Sequence, residues 1–224
     1  MKYEEKDKKY YSNIRHDLIR YISPKENLRV LEIGAAYGET LFYLKANGIA
    51  SEVVGIDLFE DKANKENYKK IDNFIFGNIE EINLDQYSNY FDVIILADVL
   101  EHLIDPIAVL KKTQRYLKVN GQIIVSLPNI RHYSALYKIF LKGDFRYEES
   151  GLFDYTHLRF YCKKNMKELL ENGGYKIKQC QSSIKEYKGF SITKIINLLT
   201  FNLFEEFFSY QYFFVTELNE TSEK

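Results

Sequence analysis

Two carboxylates and two imidazoles are the side chains best suited to moving a proton or holding a cation. Behind a short apolar run the chain reads Leu96-Ala97-Asp98-Val99-Leu100-Glu101-His102, with Asp105-Pro106 close after it. One helical turn there would put Asp98, Glu101 and His102 at i, i+3 and i+4, on a shared face. A second imidazole, His157, lies in the polar and aromatic string Asp154-Tyr155-Thr156-His157-Leu158-Arg159-Phe160. Two chemistries fit. An imidazole can act as general base toward a bound acceptor. Alternatively, Asp98, Glu101, His102 and His157 together offer two oxygens and two nitrogens, a mixed set that suits magnesium, manganese or zinc.

A second constellation lies upstream, where Val30-Leu31-Glu32-Ile33-Gly34-Ala35-Ala36-Tyr37-Gly38-Glu39-Thr40 reads as a strand turning sharply into a helix. Glycines there let the backbone approach a ligand and take conformations closed to other residues. A dinucleotide site would carry G-x-G-x-x-G and face a pyrophosphate. Ala36 and Glu39 occupy the second and third glycine positions, and the Glu32 carboxylate would repel a pyrophosphate but order an ammonium group. The next strand ends at Asp57, followed by Leu58, where an acidic side chain accepts from both ribose hydroxyls. A third strand ends Phe76-Gly77-Asn78-Ile79. The Asn78 amide oxygen can accept from an adenine amino group while Ile79 packs on the ring.

These groups need elements to position them. Short apolar runs without period-two alternation, at 28–33, 51–57, 73–76, 90–96 and 121–126, are separated by segments of helical composition. That pattern is expected of strands buried on both faces of a parallel sheet, and implies a doubly wound α/β fold. Helices are expected over about 4–22, with Tyr10, Ile14, Leu18 and Ile22 on one face, and over 106–117 and 163–172. A closing strand is expected near 210–218. Over 192–208, Ile192, Ile195, Ile196, Leu199 and Leu203 would share a helical face, expected to pack on the body or on a second subunit of a homodimer. Glu205 and Glu206 argue against an anionic lipid surface.

With these motifs in order on successive strands, the chain resembles the class I S-adenosylmethionine-dependent methyltransferases over about 30–175 and the closing strands. The resemblance implies a Rossmann-like, seven-stranded sheet, mostly parallel with an antiparallel last strand and helices on both faces. It implies that Glu32, Gly34, Ala35 and Gly38 form the first cofactor loop. Asp57 would hold the ribose, with Leu58 beside it at the cofactor, Asn78 and Ile79 the adenine, and Ala97 and Asp98 would form the loop after the fourth strand. His102 is then the expected base, with His157 second and Glu101 beside them. Some ubiquinone-pathway and small-RNA methyltransferases are similar here but read E-x-x-E-H. The shorter Asp98 makes a metal-free site the preferred reading. The segment 129–161 would cover the acceptor, with Arg131, His132, Tyr155 and Arg159 as contacts; two arginines suit a phosphate or carboxylate, as in a nucleotide-linked acceptor. The string G-D-F-x-Y-x-E-x-G-L-x-D-x-T-H-x-R-F, from Gly143 to Phe160, resembles a bacterial group associated with surface-polysaccharide assembly. O-methylation of a sugar or other small acceptor is therefore expected. A quinone-type or other O- or N-methyltransferase, a nicotinamide-dependent oxidoreductase and a non-catalytic cofactor-binding protein are the alternatives.

The 224 residues are expected to form one domain: a helical cap at 1–27, a cofactor core at 28–128, a lid at 129–161, and at 162–218 the closing part of the sheet with a helix inserted at 190–208. With 31 basic against 32 acidic residues and a net charge of −1, long-range attraction to a phosphate backbone is absent, so no nucleic-acid partner is expected. Met1 to Lys9 lacks an apolar signal stretch and no run is long enough to span a bilayer, so a cytoplasmic location is expected. Cys162 and Cys180 are expected to be free thiols.

Overall fold

The computed structural model describes residues 13–61, 65–186, 189 and 191–219. Seven strands form one sheet in the order β3-β2-β1-β4-β5-β7-β6. They are β1 (Arg29–Ile33), β2 (Glu52–Asp57), β3 (Asn73–Phe76), β4 (Phe91–Ala97), β5 (Leu117–Pro128), β6 (Tyr175–Ser182) and β7 (Gln211–Leu218). β1 to β5 pair in parallel, with Glu32 level with Gly55 on one side and Ile95 on the other. β7 runs antiparallel to both β5 and β6.

Successive residues of these strands enter different cores, which explains why the sequence shows no alternation. Leu31, Ile33, Val54, Ile56, Ile94 and Leu96 pack on one face. Val30, Val53, Val93, Ile95 and Ile124 pack on the other. Both faces are covered along β1, β2, β4 and β5, so these strands read as near-continuous apolar runs.

The helices are α1 (His16–Ile19), α2 (Glu39–Ala46), α3 (Lys65–Tyr68), α4 (Pro106–Tyr116), α5 (Tyr133–Leu136), α6 (Lys163–Asn172), α7 (Ser183–Glu186), α8 (Ile192–Leu199) and α9 (Glu205–Phe208). α4 starts where its sequence says it should. The Asp105 carboxylate accepts from the Ala108 amide at 3.0 Å, and Pro106 occupies the first turn, where its missing N–H is not needed.

Two expectations need correction. The N-terminal helix is only the single turn of α1 among the described residues, and Tyr10 lies outside them. The helix expected over 190–208 is two short helices, separated by Phe201 and Asn202 at φ 50° and 63°. Side-chain bonds gather at the break: the Thr200 hydroxyl donates to the Ile196 and Asn197 carbonyls at 2.8 and 3.1 Å, and the Asn197 side-chain amide donates to the Asn202 side-chain oxygen at 2.9 Å. The apolar face does not pack on the body of this chain: Ile192, Ile195, Ile196, Leu199 and Leu203 are exposed, and Asn197 is buried instead.

Between β5 and α6, residues 129–161 form a folded excursion. Asn129 and Tyr161 pair at its root, α5 runs into a wider turn at Tyr137–Leu141, and Ala135, Leu152 and Phe153 make a small core of their own. No helix among the described residues is long and apolar enough to cross a membrane.

Candidate active site

A cavity of about 560 Å³ opens beyond the carboxyl ends of β1 to β4, where open α/β sheets hold their ligands. Glu32, Gly34, Ala35, Asp57, Leu58, Asn78, Ile79, Ala97, Asp98 and His102 all line it. Gly38 is not in the lining; it caps α2 at φ 77°.

The turn after β1 is built by its neighbours. The Gly34 and Ala35 amides both donate to the Ile56 carbonyl, at 2.8 and 3.0 Å. Gly34 has φ +74°, and a Cβ there would stand 2.5 Å from Val99 Cγ2, so only glycine fits. Ala36 is left-handed as well, at φ 51°, and its amide donates to Asp57 Oδ2 at 2.7 Å. Asp57 Oδ1 accepts from the Phe59 amide at 2.9 Å. Burial pushes the Asp57 carboxyl up, and the Phe59, Ala36 and Leu58 amides oppose the shift.

Glu32 is buried at the end of β1, and its Oε2 has no hydrogen-bond partner. Burial pushes its pKa up to about 8, with Arg15 opposing and Asp57 adding. A buried carboxyl with an unfilled acceptor position fits an ammonium-bearing ligand, whose charge would compensate the ionised form. After β3, Asn78 Oδ1 accepts from the Glu80 amide at 3.0 Å, and Ile79 is buried. Lys112 fixes this turn from below, donating to the Ile79 and Ile82 carbonyls at 2.8 and 2.6 Å.

Asp98 also takes a left-handed φ, 56°, so it does not share a helical face with Glu101 and His102. The turn Leu100–His102 is a 3-10 turn. Asp98 accepts from Arg15 Nη1 at 2.8 Å, from Ser126 Oγ at 2.9 Å and from Gln211 Nε2. Burial opposes the charge on Arg15, but Asp98 and Asp17 hold its guanidinium firmly protonated.

Glu101 goes the other way, into the protein. It is completely buried, and neither carboxylate oxygen has a hydrogen-bond partner. Burial raises its pKa well above the usual range, and Asp98 adds to the effect. Its Oε1 lies 4.0 Å from His157 Nε2, and the His157 ring stands edge-on to His102 with centroids 4.8 Å apart. Ligand atoms of Glu101, His102 and His157 lie within 4.8 Å of one another; Asp98 is outside this set. The excursion is pinned here, since the Leu158 and Arg159 amides both donate to the Glu101 carbonyl, at 2.9 and 3.1 Å. His102 Nδ1 lies 3.1 Å from the Thr156 carbonyl. A carbonyl can only accept, so Nδ1 carries the proton in this contact.

The residues expected to touch an acceptor are dispersed. Arg131 Nη1 pairs with Glu206 at 2.6 Å, and Arg159 donates to the Leu103 and Ile104 carbonyls. His132 caps α5, with Nδ1 2.8 Å from Ser134 Oγ, and burial lowers its pKa to about 4. Tyr155 lies exposed beside Thr156. Sequence reasoning missed Arg15, Ser126, Gln211 and Lys112. Ser126, a lone hydroxyl ending an apolar strand, was the one legible signal; the others carry no motif.

The family described as "Methyltransferase domain" matches residues 3–179. A tRNA U34 carboxymethyltransferase of Helicobacter pylori is 29% identical over 132 residues, covering 53% of this chain and 48% of that protein. A demethylmenaquinone methyltransferase of Staphylococcus saprophyticus is 26% identical over 134 residues, covering 57% and 58%. The chain thus spans about half the length of the first of these curated relatives. Among solved structures, a SAM-dependent methyltransferase from Archaeoglobus fulgidus superposes with a TM-score of 0.61 at 20% identity, covering 90% of this chain and 91% of that one.

Proposed function

The chain belongs to the class I S-adenosylmethionine-dependent methyltransferases, through the methyltransferase-domain family matched by residues 3–179, and on that premise we propose that it methylates a hydroxyl of a small acceptor. Bound in the cavity, S-adenosylmethionine would supply a sulfonium methyl for transfer to the acceptor oxygen, with the thioether as leaving group. Glu32 holds the cofactor's ammonium, Asp57 its ribose, and Asn78 with Ile79 its adenine. His102 takes the acceptor's proton at Nε2. The Thr156 carbonyl fixes its tautomer, while His157 and Glu101 brace the ring from behind. The observation that supports this reading is the place of the His102 imidazole in the cavity wall, with its Nδ1 3.1 Å from the Thr156 carbonyl.

For the acceptor, a sugar hydroxyl is the first choice, on the resemblance of the 143–160 string alone. The relatives' names point elsewhere, to a tRNA uridine and a demethylmenaquinone, and a quinol also presents a hydroxyl. Net charge −1 favours a small acceptor over RNA. With Arg131 engaged by Glu206 and Arg159 by the Leu103 and Ile104 carbonyls, a neutral acceptor is favoured over a phosphorylated one. The test is methyl transfer from labelled S-adenosylmethionine across sugar, sugar-nucleotide, quinol and tRNA acceptors. Transfer to sugars or quinols that collapses in His102→Ala supports the reading; transfer to tRNA alone, or transfer indifferent to His102, overturns it.

A second reading has one observation in its favour. The partnerless carboxylate of Glu101, beside His102 and His157, is a donor set that would hold a divalent cation, which would supply Lewis acidity to the acceptor oxygen. Activity that disappears on chelation and returns with magnesium, manganese or zinc would favour it.

A further inference from the structure

Lys112 stands midway along α4 and does not line the cavity. From its hydrogen bonds we infer that it is a positioning residue for base recognition: acting through one peptide unit, it holds Asn78 as an acceptor and so makes the site select a 6-aminopurine over a 6-oxopurine. The inference rests on the cofactor reading above, in which Asn78 meets the adenine.

The turn after β3 gathers its carbonyls on one ammonium. Lys112 Nζ donates to the Ile79 carbonyl at 2.8 Å, to the Ile82 carbonyl at 2.6 Å and, more weakly, to the Glu80 carbonyl at 3.4 Å. In a trans peptide unit the C=O and the N–H point to opposite sides. The unit that gives its oxygen to Lys112 therefore turns the Glu80 amide the other way, and that amide donates to Asn78 Oδ1 at 3.0 Å. An N–H can only donate, so the oxygen end of the Asn78 carboxamide is fixed. At the other end Nδ2 donates to Glu81 Oε1 at 3.2 Å. Both ends of the side chain are assigned, and Oδ1 keeps a second lone pair in the cavity wall. A further tie holds the turn to the same helix, since Glu80 Oε1 accepts from the Asp105 amide at 2.7 Å, just ahead of α4.

A 6-amino group donates to that lone pair, whereas a 6-oxo group sets a second acceptor against it. A site built to hydrogen-bond one group rejects the analogue that lacks it, because its own partner is left unsatisfied. Without the ammonium, the peptide unit between Ile79 and Glu80 loses the bond that sets its tilt, and the Asn78 carboxamide is free to turn and offer Nδ2 in place of Oδ1. It then suits a 6-oxo group as well as a 6-amino group.

The test is calorimetric titration of the wild type and of Lys112→Met with S-adenosylhomocysteine and with S-inosylhomocysteine, its 6-oxo analogue. The ratio of the two dissociation constants is read within one protein, so it does not change with the folded fraction and separates base selection from stability. The wild type is expected to favour the 6-amino ligand at least about tenfold, the worth of one satisfied hydrogen bond. In Lys112→Met the ratio should fall to about threefold or less. Lys112→Gln, with a shorter stem and no ammonium, carries the same comparison if Lys112→Met does not fold. A ratio unchanged in the variant overturns the inference, as does a folded variant that loses both ligands, because the lysine would then support the site as a whole. A wild type that binds both ligands equally overturns it together with the Asn78 assignment, and a wild type that binds neither overturns the cofactor reading and the inference with it.

Discussion

His102 meets the Thr156 carbonyl through Nδ1, and the turn that presents Thr156 is held by Asp154, whose Oδ1 accepts from the Thr156 amide at 2.9 Å and hydroxyl at 2.6 Å. Replacing His102 by alanine is expected to lower kcat about a hundredfold, the range of a lost general base. Affinity for S-adenosylhomocysteine should stay near wild type. Glu32 gives a prediction with a pH signature. Its folded pKa, about 8, lies above the ordinary 4.5, so the folded state binds the extra proton. The stability this contributes is present below 4.5 and is lost as pH climbs through about 8. Ligand-free Glu32→Gln should therefore melt above wild type at pH 8 and level with it at pH 4.5, while binding the cofactor about tenfold more weakly. Melting curves at the two pH values, with a titration at each, check both halves. Glu32, Gly34 and Asp57, which line the cavity, could be picked out by type and order. Arg15 could not, because its meeting with Asp98 depends on a chain path of 83 residues.

The turn after β1 and the root of the excursion carry the element-level predictions. Gly34→Ala puts a Cβ 2.5 Å from Val99 Cγ2 at a left-handed φ, and is expected to cost about 1–2 kcal/mol for the backbone alone. Adding Val99→Ala should recover the steric part of the loss in melting temperature and leave the backbone part. Asn129 is fully buried, donates to two carbonyls of the α9 region and accepts from the Arg131 amide at 3.1 Å. Asn129→Ala is expected to destabilise by about 2 kcal/mol, read as a Tm lowered by several degrees. The strands were legible because both sheet faces are covered and each core residue leaves its trace in composition. The 192–208 segment was legible only as an apolar face. Periodicity says that such a face exists, not what covers it, and the helix stops among the side-chain bonds of Thr200 and Asn197, a place its period does not mark. The left-handed backbones of Ala36 and Asp98 left no mark either, since neither residue type announces a positive φ.

Across the whole molecule, the sheet gathers loops from β1 to β4 on one edge, and β7, inserted antiparallel between β5 and β6, brings Gln211 to the same edge. On the proposed function, that convergence would let one cavity serve cofactor and acceptor. If His102 acts without a metal, exhaustive chelation should leave the turnover rate unchanged. The fold itself follows from the order of apolar runs, but the acceptor does not, because one sheet supports many substrates. The most direct test of the account is a calorimetric titration of the chain with S-adenosylhomocysteine, run beside NADH. Binding of S-adenosylhomocysteine with a micromolar Kd, weakened in Glu32→Gln and absent for NADH, is the predicted result; no binding, or binding of NADH in its place, would contradict the assignment of the cavity.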